Sequence, residues 1–168
     1  IDVESIKTAI MNGYSEPSEQ YVPSSHVGYV EGLDFHEVYP FNVEGARALM
    51  REAGWEQGFT VTLDATNNRY INDAQITQAI ASQLAKINID VELNLMPKAN
   101  FFGYIRVPTP DSSFIMSGWD VPSGDAGNMY SVMFYSRDKK PGYGVVNRGG
   151  YSNPEVDKLI EAASATVN

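Results

Sequence analysis

The sequence predicts an α/β domain with a mainly parallel central sheet flanked by helices, and three observations carry that prediction. Residues 59–65 (FTVTLDA) alternate apolar and polar side chains, the pattern of a half-buried strand. Val91, Leu93 and Leu95 repeat the alternation. Between them Ile76, Ala79, Ile80, Leu84 and Ile87 fall on one face of a helix. Strand, helix and strand in that order form a right-handed crossover, which makes the two strands parallel.

The remaining elements follow in chain order. In residues 2–12, Val3, Ile6 and Ile10 stand near helical spacing, with Gly13 as a stop. Residues 14–40 keep no period and are punctuated by Pro17, Pro23, Gly28 and Gly32, so an irregular surface segment is expected there. Asn42 caps a helix whose apolar positions are Ala46, Leu49, Met50 and Ala53, closed by Gly54. Asn72 is expected to cap the crossover helix, with Gln75 completing a capping box. Residues 98–106 suit a short helix. Residues 113–119 (SFIMSGW) form an apolar run that predicts a central strand buried on both faces. Residues 127–136 predict another helix. Asn153, Pro154 and Glu155 open a final one, with Val156, Leu159, Ile160 and Ala163 as its apolar face. The chain starts on Ile1 and ends on a helical pattern without a stop signal, so a piece of a longer polypeptide is expected.

Composition narrows the function. A formal charge of −9 leaves no basic stripe to neutralise phosphates, which argues against nucleic acid. No apolar run approaches a membrane span. With no Cys, disulfides, thiolate zinc sites and thiol catalysis are excluded, although the compartment stays open.

Parallel strands align their carboxyl ends, and ligands of open α/β sheets bind outside that edge. The loops expected there are residues 66–72 (TNNRYIN) and 120–127 (DVPSGDAG). They offer Asn67, Asn68, Arg69, Tyr70, Asp120, Ser123 and Asp125 for directional contacts. The first loop feeds a helix whose free N–H groups favour an anion, and Arg69 beside them would make a carboxylate site. The same residue types also serve turn geometry in solvated loops. Trp119 either plugs the sheet end or offers a flat face to a ligand; Tyr143 and Tyr151 share that ambiguity.

No catalytic motif emerges. His26 and His36 lack metal-ligand spacing, and Ser123-Gly124 lacks the GxSxG elbow. Gly142-Tyr-Gly144 has Asn147 where a dinucleotide fingerprint needs its third glycine. Asp111, Asp120 and Asp125 miss the spacing of a calcium loop. No cofactor is called for.

Four segments in order carry a family resemblance: NVEGARALMREAGW, FTVTLDATNNRYINDAQITQAIASQLAKINIDVEL, SGWDVPSGDAGN and GGYSNPEVDKLIEAA. They resemble the extracellular solute-binding proteins of ABC importers, family 5, whose members bind dipeptides, oligopeptides, glutathione and nickel chelates. The resemblance implies the class II, cluster C type of periplasmic-binding-protein fold, with residues 1–168 as a single ligand-binding lobe, the third domain of a two-lobed receptor. It implies a periplasmic, monomeric, non-enzymatic protein that delivers a peptide or similar small polar solute to membrane permease subunits. Arg69 falls near the family's carboxylate-binding Arg. Pro122 stands where short-peptide binders carry an Asp for the ligand amine, which leaves Asp120 and Asp125 as candidate amine partners. The expected ligand-binding set is Asn67, Arg69, Tyr70, Trp119, Asp120, Ser123, Asp125 and Asn147, with Arg148 beside it. Two rivals remain: a hydrolase using Asp120 and Asp125 as acid and base, and an interaction domain without a small-molecule ligand.

Overall fold

The computed structural model describes residues 1–106, 112 and 114–166, which group into two compact units. The first holds Ile1–Glu19, Asp34–Gly103 and the segment of the third strand. The second holds Gln20–Leu33, the end of the fifth helix and the chain from Gly118 onward.

In the first unit, α1 (Val3–Ala9) is capped by Asp2, whose carboxylate accepts the Ser5 N–H at 2.9 Å. A short α2 (Phe35–Val38) interrupts the irregular segment, and α3 (Val43–Glu52) starts on Asn42, which accepts the Gly45 N–H at 2.8 Å. Strand β1 (Phe59–Thr66), helix α4 (Asp73–Leu84) with a 3₁₀ turn at Ala85–Ile87, and strand β2 (Ile89–Met96) form the expected crossover. The strands run parallel in register from Phe59 opposite Ile89 to Thr66 opposite Met96. Gly58 makes this start possible: it holds φ at +81°, and a Cβ there would collide with the Asn88 carbonyl. Helix α5 (Lys98–Tyr104) follows, then β3 (Phe114–Ile115), parallel to β1.

Two expectations are corrected here. The sheet order is β2-β1-β3, so β1 occupies the middle and β3 lies at an edge. Among the described residues β3 has only two members, because Met116 makes one more bond, to the Asp64 carbonyl at 3.0 Å, before the chain turns away. Ser113 and Asp111 lie outside the described residues. Asn72 caps nothing with its side chain: it sits in the left-handed region at φ 56° and donates to the Ile10 carbonyl at 2.9 Å.

The second half of strand β1, Leu63 to Thr66, is buried on both faces. Leu63 and Ala65 fill the apolar side, while Asp64 on the other accepts from Asn94 at 2.7 Å and from the Ser112 hydroxyl. A fully buried carboxylate is thus satisfied from both sides. The apolar faces of the helices are less covered than periodicity predicts, with Leu49 66 % and Leu159 68 % exposed.

The second unit is built around Val22, Val121, Ala126 and Met129, with Tyr29, Tyr130, Met133 and Phe134 packed against them. Helix α6 (Gly127–Met129) runs into a π turn at Tyr130–Phe134, closed by the Tyr135 N–H on the Tyr130 carbonyl at 3.2 Å. Helix α7 (Pro154–Ala165) starts on Asn153, as expected, which accepts the Glu155 N–H at 3.0 Å. Its buried Asp157 accepts the Ser136 N–H at 2.8 Å. Its Glu161 accepts the Tyr135 hydroxyl at 2.7 Å, a bond that pushes the Tyr135 pKa up to about 12.

Residues 20–33 are irregular but ordered. Gln20 is buried and closes the segment on itself, donating to the Val30 and Leu33 carbonyls at 2.8 and 3.1 Å. Further along, Val27 pairs with Asp125 in a parallel bridge. Among the described residues no helix is long and apolar enough to cross a membrane.

Candidate functional site

The chain leaves β1 and β3 at the same sheet edge, because both strands run parallel. From β1 it enters residues 67–72. The Asn67 N–H extends the ladder by one bond, to the Met96 carbonyl at 3.1 Å, and the Asn68 side chain accepts the Lys98 N–H at 2.8 Å. These bonds fix the loop's base and leave Asn67, Asn68 and Arg69 exposed.

The centre of the loop is organised by Asp73, a residue that sequence reasoning missed. One carboxylate oxygen accepts the Thr66 hydroxyl at 2.7 Å and the N–H groups of Arg69 and Tyr70 at 3.0 and 3.2 Å. The other accepts the Ala74 N–H at 2.9 Å. Burial alone would raise this carboxyl's pKa; the Arg69, Tyr70 and Ala74 N–H groups and the Thr66 hydroxyl outweigh it and hold the value below the ordinary carboxylate range. Of the N–H groups at the start of α4, that of Ala74 is therefore taken by an acid of the chain itself, whose negative charge already stands where a ligand anion was expected. An acidic residue at a helix start directly after a polar loop was the available signal.

Arg69 keeps its side chain outside this arrangement. Its guanidinium carbon lies 5.2 Å from the centroid of the half-buried Tyr70 ring, a cation–π contact that restrains the head group. Among the described residues no carboxylate pairs with it.

The second unit carries the other expected residues. Trp119 is 41 % exposed, and Asp120 is exposed beside it. Ser123 and Asp125 are exposed but engaged in the loop's own turn. The Ser123 hydroxyl donates to the Asp125 carbonyl at 3.2 Å, and the Asp125 carboxylate accepts the Gly127 N–H at 2.7 Å, opening α6.

Asn147 has a different environment from the one expected of a ligand contact. It is 2 % exposed, and its amide donates to the Tyr135 and Tyr151 carbonyls at 2.9 and 2.7 Å while accepting the Tyr151 N–H at 3.0 Å. Arg148 donates to the Ile105 carbonyl at 3.0 Å. Tyr143 packs edge-on against Tyr135 at 4.8 Å and carries Lys140 over its face at 4.3 Å. Among the described residues no group of three His, Asp or Glu side chains stands close enough to hold a metal ion.

Residues 1–141 match the family described as bacterial extracellular solute-binding proteins, family 5 middle. The chain belongs to that family. The glutathione-binding protein GsiB of Pectobacterium atrosepticum is 26 % identical over 100 % of this chain and 32 % of its own length. The periplasmic binding protein DppA from Helicobacter pylori, solved with the peptide STSA, matches with a TM-score of 0.84 at 20 % identity, over 100 % of this chain and 31 % of its own. The binding protein AgaA of A. tumefaciens R10, in complex with agropinic acid, gives 0.79 at 28 % identity, over 100 % of this chain and 33 % of its own. The chain thus spans about a third of the length of the relatives it matches. Its fold is that of the periplasmic binding proteins, an α/β arrangement with a parallel sheet flanked by helices.

Proposed function

We propose that this chain is one ligand-binding lobe of an exported solute-binding protein, which captures a peptide or a similar small polar solute and hands it to the membrane permease of an ABC importer. The observation that supports this most directly is the family match over residues 1–141. Relatives named for glutathione, a peptide and agropinic acid support a solute bearing carboxylate and polar groups.

In this reading Arg69 binds an anionic group of the solute. Asn67 hydrogen-bonds beside it, Tyr70 restrains the guanidinium, and Trp119 covers the solute with its ring. Asp120 is the preferred partner for a solute amine: among the described residues no hydrogen bond or ion pair engages its carboxylate, whereas that of Asp125 is committed to Gly127. Ser123 and Asp125 shape their loop, and Asn147 acts from within the fold by joining Tyr135 to Tyr151. The protein acts as a monomer and binds without chemistry.

The test is native mass spectrometry of the full-length receptor as purified, followed by calorimetry with the solute identified and with di- to tetrapeptides and glutathione. The expected result is a stoichiometric small polar solute recovered unchanged. Turnover of any of these compounds, or of a glycoside panel, would replace the reading with the hydrolase. Absence of any bound or binding small molecule would replace it with the interaction domain.

A further inference from the structure

The proposed solute-contacting loop, residues 119–125, has little internal structure of its own. Its hydrogen bonds within the loop are the Gly124 N–H on the Val121 carbonyl at 3.0 Å and the contacts of Ser123 with Asp125. Beyond the loop it is tied to Gly127 through the Asp125 carboxylate and to the segment 25–28, far away in sequence. The Val27 N–H donates to the Gly124 carbonyl at 2.9 Å, and the Ala126 N–H donates back to the Val27 carbonyl at 3.0 Å. His26 adds the only side-chain stitch from this segment among the described residues, its Nε2 standing 3.1 Å from the Val121 carbonyl. Gly28 allows the approach: it holds φ at +95°, and a Cβ there would stand 2.9 Å from the Ala126 Cβ.

We infer that His26 is the positioning residue of the solute-contacting loop, held as the Nε2–H tautomer by a relay from Ser25. This rests on the functional reading above for its purpose, though not for its geometry. A backbone carbonyl can only accept, so the ring nitrogen facing Val121 must carry a proton. In the neutral ring the other nitrogen is then an acceptor, and the Ser25 hydroxyl, 2.9 Å from Nδ1, is placed to donate to it. The ring therefore has one tautomer and one orientation. The carbonyl it grips belongs to buried Val121, two residues beyond Trp119 and one beyond Asp120, so the bond sets where the exposed part of the loop begins.

Protonation does not break this stitch. The imidazolium donates from both nitrogens, and the Ser25 hydroxyl can turn to accept. The arrangement thus acts as a permanent anchor rather than a pH-sensitive latch.

Two measurements on the full-length receptor test this without any solute. The first is the ring nitrogen NMR spectrum of the wild-type protein, read on the neutral ring. It should show His26 protonated on Nε2, and an Nδ1–H ring would overturn the inference. The second is amide hydrogen exchange at Val27 and Ala126. In His26→Ala their exchange should rise roughly fivefold, the loss of one hydrogen bond, with the amides of α4 unchanged. His26→Gln places a donor near the Nε2 position and should restore protection. His26→Phe keeps ring volume without a donor, and His26→Asn places its donor near Nδ1; neither should restore it. Unchanged exchange in His26→Ala, or rescue by Phe, would show that the ring merely fills space. If the exchange pattern holds while Asp120→Asn leaves binding of the co-purified solute unchanged, the anchor stands and the functional reading of the loop fails.

Discussion

The carboxylate of Asp73 accepts the backbone N–H of Arg69 at 3.0 Å while the Arg69 side chain points to solvent, so one residue carries both a group neutralised by the chain and a cation left for something else. At the helix start that would ordinarily favour a ligand anion an internal carboxylate already stands, bonded to the Ala74 N–H. For its positive charge, an external carboxylate at this edge depends on the Arg69 guanidinium, with Asp73 as a repulsive neighbour behind it.

Arg69→Ala in the full-length receptor should therefore weaken a solute acid selectively. Truncating one partner of a desolvated charge pair costs about 2–5 kcal/mol, and the repulsion from Asp73 favours the lower end, roughly thirtyfold. Arg69→Lys should recover part of this, since an ammonium cannot grip two oxygens in a planar fork. Calorimetry on the acid and its amide decides: an unchanged acid-to-amide ratio in Arg69→Ala means the anchor lies elsewhere.

Asp73 should dominate the acid response of the loop. Its pKa is depressed on folding, so its stabilisation is complete above the unfolded value of about 3.9 and is lost as pH falls through the lower folded value. Below about pH 4, wild-type stability should drop more steeply than that of Asp73→Asn. At neutral pH the variant should be destabilised by about 1–3 kcal/mol, since buried N–H groups lose a charged acceptor. Urea unfolding across pH measures both, and parallel acid limbs would contradict the assignment.

For Asn147 the expected phenotype is stability without affinity. Asn147→Ala strands two carbonyls and one N–H, with an expected cost of about 2–3 kcal/mol. Solute affinity at temperatures where the variant is folded should stay within about twofold, a change of under about 0.5 kcal/mol. A large affinity loss without a shift in the unfolding midpoint would return Asn147 to the contact set.

The 168-residue chain alone should bind solute weakly. Small-molecule sites of useful affinity cover roughly 70–90 % of the ligand, and a single lobe offers one wall of such an enclosure. Micromolar or tighter binding by this chain in calorimetry would show that the whole site lies within it.

The sheet was legible where periodicity is dense. Residues 59–65 alternate, Val91 to Leu95 alternate, and the helix between them has five apolar positions, so the crossover follows from pattern alone. The caps at Asn42 and Asn153 were legible because each asparagine stands directly before its helix, at Asn153 with Pro154 fixing the first helical position. At the start of α4 two adjacent residues competed for that role. The left-handed backbone of Asn72 turned its amide toward α1 and left the bonding to Asp73, a choice set by tertiary contact. The apolar run at residues 113–119 overstated β3, since apolar character reports burial and says little about pairing. Asn147 lies in a glycine-rich stretch with no periodic pattern to tell which way its side chain faces. Its burial depends on Tyr135 and Tyr151, which no local pattern reveals. The exposure of Arg69 is legible from its place just beyond the carboxyl end of β1, which topology supplies.

The stitching of residues 25–28 to residues 121–126 also bears on the order of assembly. The Asp64–Asn94 bond across the crossover closes a separation of 30 residues, whereas His26 meets Val121 across 95. Closing the longer loop costs only about 1 kcal/mol more in chain entropy, but it cannot begin until the distant partner exists. During synthesis the 20–33 segment emerges early and should close on itself through the Gln20 bonds that span 10 and 13 residues. The crossover, rich in nearer contacts, should form before residue 121 is available. Nascent chains halted before residue 121 should therefore carry a formed sheet pair and an exposed Val22, a transient apolar spot that a chaperone can hold until the later loop arrives to cover it.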